Sequence, residues 1–181
     1  MRHVKAGTLV AAAYLTVCLV WGSTYLAIRV GVRDLPPFLF AAARHLLAGA
    51  FLAVLCVAVG QPFPRGWRSL RGHGLVGLFM LAGGNGLIVW AEQWVNSGVT
   101  AILVAMVPLF TAWLGHSLQG DRIGVRGWLG LALGLAGVAL LVRPAAPMGH
   151  GWFTGSLVIL LGSFSWALGS VLAKRIPLSE A

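Results

Sequence analysis

The 181 residues are 59% hydrophobic and only 9% charged, against roughly 45–50% and 25% in soluble domains, which excludes a water-soluble fold. The formal net charge of +9 would suit a nucleic-acid partner, but the cations stand at the ends of apolar runs and not along one amphipathic face, so they read as membrane topology. Cys18 and Cys56 fall at different depths of two apolar runs, which argues against a disulfide and for two packing residues.

The first span runs from about Thr8 to Val30 behind Arg2, His3 and Lys5. It exceeds the roughly 7–15 residues of a signal-peptide core and no small-residue cleavage site follows, so it is expected to stay in the membrane. Trp21, Thr24, Tyr25 and Ile28 share one helical face by their spacing, directing aromatic and hydroxyl groups either to a cavity or to an interfacial belt. Pro36-Pro37 starts the second span, which ends near Gly60 and carries Arg44 and His45 about two turns in. An ionisable residue at that depth is costly unless paired or wetted; Arg44 either faces a cavity or snorkels to the headgroups. His45 reads first as a hydrogen-bonded packing residue.

Gln61 to Gly72, with Arg65, Arg68 and Arg71, is expected to be a short cytoplasmic loop. The third span, about His73 to Val95, holds Gly83-Gly84-Asn85-Gly86 at its middle and Trp90, Glu92, Gln93 and Trp94 at its outgoing end. Those glycines permit close helix approach, the preferred reading, or local unwinding around a solute. The fourth span, about Gly98 to Leu118, carries Pro108 near its centre, followed by Thr111 and Trp113; the proline should kink the helix and free a carbonyl. In the fifth span Gly127, Gly130, Gly134 and Gly137 suggest a helix-packing groove. After Arg143-Pro144 a sixth span runs from about Trp152 to Ala173 and ends in Lys174-Arg175.

The sixth span repeats the first. An offset of 145 positions lays Trp166 on Trp21, Ser170 on Tyr25 and Lys174 on Arg29. Five spans begin within that offset, and an odd number makes the second copy enter the membrane from the opposite side, as in the inverted repeats of secondary transporters. With the N-terminus in the cytoplasm, nine cations (Arg2, Lys5, Arg65, Arg68, Arg71, Arg122, Arg126, Lys174, Arg175) lie inside against Arg29, Arg33 and Arg143 outside, a positive-inside bias.

These residues resemble the EamA family of the drug/metabolite transporter superfamily. The resemblance rests on Trp21-Gly22-Ser23, Tyr25 and Ala27-Ile28-Arg29, on Arg44, and on Ala91-Glu92-Gln93-Trp94. It continues through Ala101-Ile102-Leu103, Val107-Pro108-Leu109, Asp121-Arg122 (aspartate where the family usually has glutamate), Gly127-Trp128-Leu129-Gly130 and Gly134-Leu135-Ala136-Gly137-Val138. It implies a carrier of ten helices in two five-helix repeats, usually exporting amino acids, metabolites or drugs. Residues 1–143 would be the first repeat and 144–181 the start of an inverted second one, so the chain would be truncated or would associate with a missing half or another copy.

The expectation is therefore an all-α, polytopic integral membrane bundle of about six helices. It would be a multi-pass inner-membrane carrier of small organic solutes working by alternating access, without cofactor, metal or nucleic acid. The candidate solute-binding set is Trp21, Thr24, Tyr25, Arg44, His45, Asn85, Trp90, Glu92, Gln93, Pro108, Thr111 and Trp166. Arg44 and Glu92 are expected to meet as an outer gate in a vestibule lined by Tyr25, His45 and Gln93. Two alternatives stand beside this reading. A small homodimeric proton-coupled exporter would want a glutamate amid the first span, where Cys18, Trp21 and Ser23 stand instead. A non-transporting assembly subunit needs no site, and an intramembrane enzyme would need a nucleophile or metal constellation that the spans lack.

Overall fold

The computed structural model describes residues 6–61, 66–141 and 151–176. Arg2, His3, Lys5, Arg65, Arg143 and the expected repeat boundary at 143–144 lie outside the described residues. The regular structure described is helical throughout. Five helical segments are long and apolar enough to cross a membrane: Gly7–Gly31, Pro37–Ala58, Trp67–Ala91, Ser97–Gln119 and Trp152–Ala173; a shorter apolar stretch, Val125–Gly137, lies between the last two.

Helix α1 (Ala6–Gly31) is uninterrupted, and α2 (Pro37–Ala58) starts on the proline pair, where a missing N–H costs nothing. Gly60, at φ 68°, closes α2; beyond it Gln61 N–H donates to Cys56 O at 2.9 Å, satisfying a terminal carbonyl. The third segment begins earlier than the sequence suggests: α3 (Trp67–Gly77) takes in half of the expected polar loop, Trp67 to Gly72. The arginines at 68 and 71 do not stop a helix in its first turns, because straight-chain cations are good helix formers. A nine-residue π-helical stretch, Leu78–Gly86, follows and passes into α4 (Leu87–Ala91), so the segment ends at Ala91 and not at Val95.

The fourth segment is broken as the proline predicts. Helix α5 (Ser97–Val104), capped by Asn96 accepting from Val99 N–H at 2.9 Å, stops short of α6 (Val107–Gln119), which has Pro108 in its first turn. Gly120, at φ 73°, ends α6. Helix α7 (Val125–Leu141) follows, and α8 (Trp152–Ala173) is the sixth span with the expected bounds.

Helix α8 is the centre of the bundle, seated against the third segment on one side and α5 and α6 on the other. Its Gly155, Gly162 and Gly169 recur every seven residues, two turns, and so fall on one face. A Cβ on Gly162 would stand 2.9 Å from Gly84 O, and one on Gly169 would stand 2.6 Å from the Met80 side chain. The third segment answers with its own glycines: a Cβ on Gly84 would reach the Trp166 ring at 3.0 Å. Close approach thus accounts for Gly83 and Gly84, and Ser165 Oγ donates to Phe79 O at 2.7 Å inside the π-helical stretch. Apolar contacts fill the rest: Ile88, Ala91, Val95, Leu103 and Ile159 form one cluster, and Leu114, Ala167 and Val171 another.

Among the described residues nothing occupies the fifth-span groove. A Cβ added at Gly130, Gly134 or Gly137 would meet nothing within 4 Å, because α7 lies at the edge of the bundle with α5 as its neighbour. Both cysteines are free thiols; Cys18 lies on the exposed face of α1 and packs on nothing comparable to the α8 core.

Candidate functional site

Where α1, α2, the third segment, the α5–α6 break and α8 converge, they enclose a cavity of about 480 Å³. The chain reaches this arrangement through three local irregularities. Pro108 cannot bond the carbonyl four residues back, so the fourth segment breaks, and Val104, Ala105, Val107 and Pro108 form one wall. The π-helical stretch brings Asn85 to the opposite side, a kind of bulge that recurs at functional sites. The shared face of α1 supplies Trp21, Thr24 and Tyr25.

Trp166 of α8 closes the cavity against Trp21, edge to face, with ring centroids 6.1 Å apart and planes at 85°. These are the two tryptophans that the 145-residue offset superimposes in the sequence. Thr24 Oγ1 donates to Val20 O at 2.8 Å and is spent on its own helix unless a solute competes. Arg44 lines the wall with its guanidinium 5.7 Å from the centre of the Phe40 ring.

Seven of the twelve expected residues therefore come together: Trp21, Thr24, Tyr25, Arg44, Asn85, Pro108 and Trp166. The other five do not line the cavity. His45 Nδ1 is bonded to Ala41 O at 2.7 Å, which is the packing role its position suggested. Trp90 stacks edge to face on Trp94 at 4.9 Å, Gln93 donates back to Trp90 O at 2.9 Å from an exposed position, and Thr111 is half-buried on α6.

The expected Arg44–Glu92 contact is absent. Glu92 is fully buried just past the end of α4, and neither carboxylate oxygen has a hydrogen-bond partner among the described residues. Its backbone carbonyl instead accepts from Arg29, the last-turn cation of α1, which the charge count had assigned to the outer surface. Arg44 is held over Phe40 on its own helix, and the cation that reaches the end of α4 is Arg29. Ile88, Ala101, Val104, Ala105 and Val107 also line the cavity and were not among the expected residues. The signal available for Val104 was its place four residues before Pro108.

Comparison with known proteins bears on the family of the chain. The EamA-like transporter family matches residues 8–143. The chain is 42% identical over 167 residues to an uncharacterized inner membrane transporter, YedA, of Escherichia coli K12, covering 92% of this chain and 53% of that protein. It is 30% identical over 167 residues to a probable amino-acid metabolite efflux pump of the same organism, covering 90% and 52%, and 27% identical over 161 residues to an uncharacterized transporter, YoaV, of Bacillus subtilis, covering 88% and 55%. The chain thus spans about half the length of the curated relatives it matches. No solved structure matches it. A multi-pass helical membrane chain with this match over three-quarters of its length belongs to the EamA-like transporter family.

Proposed function

We propose that this chain forms the greater part of the solute pathway of an inner-membrane carrier for small organic molecules, and that the cavity between α1, the third and fourth segments and α8 is its solute site. The observation that carries this reading is the cavity itself. It joins one cation, Arg44, and one amide, Asn85, to the aromatic rings of Trp21, Tyr25 and Trp166 at a broken helix. Broken or widened helices are tolerated at membrane depth where they are buried or line a cavity, and they leave backbone groups for a solute to use.

An apolar body would stack on the aromatic rings, while an anionic or polar end would take Arg44 and Asn85. The metabolite efflux named for the Escherichia coli relative supports export of such solutes. Alternating access requires a second set of helices against the bare faces of α1 and α2, supplied by the remainder of a second repeat or by another copy. Residues 1–143 and 144–181 would then be a first repeat and the opening of a second.

Thermal unfolding of the purified chain in lipid tests the solute site, using a panel of amino acids and their aromatic and carboxylate analogues. A solute of the right class at a hundred times its dissociation constant stabilises by about 2.7 kcal/mol, and Arg44→Gln and Trp21→Ala should lose that gain. Stabilisation that survives both substitutions would place the solute elsewhere. The cation bias puts the N-terminus in the cytoplasm. With native thiols removed, Ser97→Cys should then label with an impermeant reagent on intact cells and Ser69→Cys should not; the opposite pattern would invert the orientation.

A further inference from the structure

Glu92 is a buried acid that the solute cavity does not use. It is fully inaccessible and follows the last residue of α4, and among the described residues both of its carboxylate oxygens lack a hydrogen-bond partner, the neighbouring Thr100 hydroxyl being donated to Asn96 O. A carboxylate in that condition has lost its water without replacement, a state far more costly than that of a neutral carboxyl of the same shape. Something must complete it: a cation that moves in, or a proton.

The groups around it are few. Helix α1 offers Tyr25 and Arg29, and the Arg29 guanidinium is engaged with the Glu92 backbone carbonyl. Helix α2 offers Arg44, held over Phe40, and His45, bonded to Ala41 O. The π-helical stretch, α5 and α8 contain no titratable residue at all, and Arg33 and Asp34 in the loop after α1 are exposed. Tyr25 packs against both apolar clusters that flank α4 and also lines the cavity, so it stands between Glu92 and the solute site.

We propose that Glu92 is a proton-binding site of the carrier, holding its proton in the arrangement described here and coupled through space to Arg44 in the cavity wall. The inference rests on the reading of that cavity as the solute site, and adds a second ligand, the proton, at a second place. In the protonated state the carboxyl is neutral, and Arg44 stays at the wall, free to take an anionic group. When the O–H bond breaks, the proton leaves to water at the membrane face where the third segment ends. The carboxylate left behind draws the Arg44 guanidinium off Phe40 and away from the cavity. Proton loss and loss of the solute's cationic partner then occur together, without any other co-reactant.

Infrared spectroscopy of the whole chain in lipid bilayers tests this without any solute, so a failure here leaves the solute-site reading standing. The chain has four acidic side chains, Asp34, Glu92, Asp121 and Glu180. The expected result is a deuterium-sensitive C=O band of a protonated carboxyl at neutral pH, kept in Asp34→Asn, Asp121→Asn and Glu180→Gln and lost in Glu92→Gln. Arg44→Gln should raise the midpoint at which the band titrates by about one pH unit or more, since it removes an opposite charge that favours ionisation. Should Glu92→Gln fail to insert, Glu92→Asp must move the band or its midpoint. The absence of a neutral-pH band would mean that Glu92 is ionised and paired, with Arg29 as the nearest cation, and would overturn the proposal. A midpoint indifferent to Arg44→Gln would overturn the coupling.

Discussion

Helices α1 and α8 are matched by a 145-residue offset in the sequence, yet 39% of the most apolar stretch of α8 is buried within the chain against 6% of that of α1. Composition does not separate them, for both are apolar all round with no acid among them. The difference lies in what each meets. Helix α8 is gripped by the third and fourth segments, while α1 touches the fourth through α5 and sets Arg29 against the end of α4. Helix α8 is therefore seated by the third and fourth segments, and α1 has no such seat among the described residues. Lipid is as apolar as leucine, so burial alone distinguishes little here; close backbone approach and hydrogen bonds hold the seated helix.

Glycine substitutions break this comparison most sharply. Gly162→Ala drives a Cβ to 2.9 Å from a backbone oxygen and 3.1 Å from Ile88, neither of which can step aside cheaply. Such overpacking should cost about 1–3 kcal/mol of unfolding free energy, measured in detergent or bilayer, and a neutral result would mean that α8 is not pressed on the third segment. At the other end of the scale, Gly134→Ala in α7 meets nothing within 4 Å. It should gain up to about 1 kcal/mol from helix propensity alone. Destabilisation of that order would show that the α7 glycines do pack, against a partner outside the described residues.

Much of this architecture is legible in the sequence for a simple reason: membrane spans are long, and hydropathy alone finds them. The six apolar segments, the break at Pro108 and the seating of α8 bounds at Trp152 and Ala173 follow from residue type. Spacing also selected the face of α1 that carries Trp21, Thr24 and Tyr25 to the cavity. What depends on which segments touch was harder to read. The GxxxG pair of α7 is the more familiar pattern, yet the glycines that pack are those of α8, at a seven-residue period that a scan for four-residue spacing passes over. Arg29 looked like a surface cation because it ends a helix, but its side chain turns to α4. The depth of Arg44 and Glu92 suggested a pair, whereas depth fixes only one coordinate and leaves the lateral separation open.

The central claim is that the concavity at the α5–α6 break is an aqueous solute site and not a lipid-filled notch. A thiol reacts with methanethiosulfonates only as thiolate, which requires water. With Cys18 and Cys56 replaced, Ala105→Cys in the cavity wall and Leu133→Cys on α7 should be compared in the chain reconstituted into bilayers; Ala105 lines the cavity and Leu133 is 74% exposed on the outer helix. The account predicts rapid modification at position 105 and none at 133. An unreactive thiol at 105 in a folded, inserted chain would contradict it.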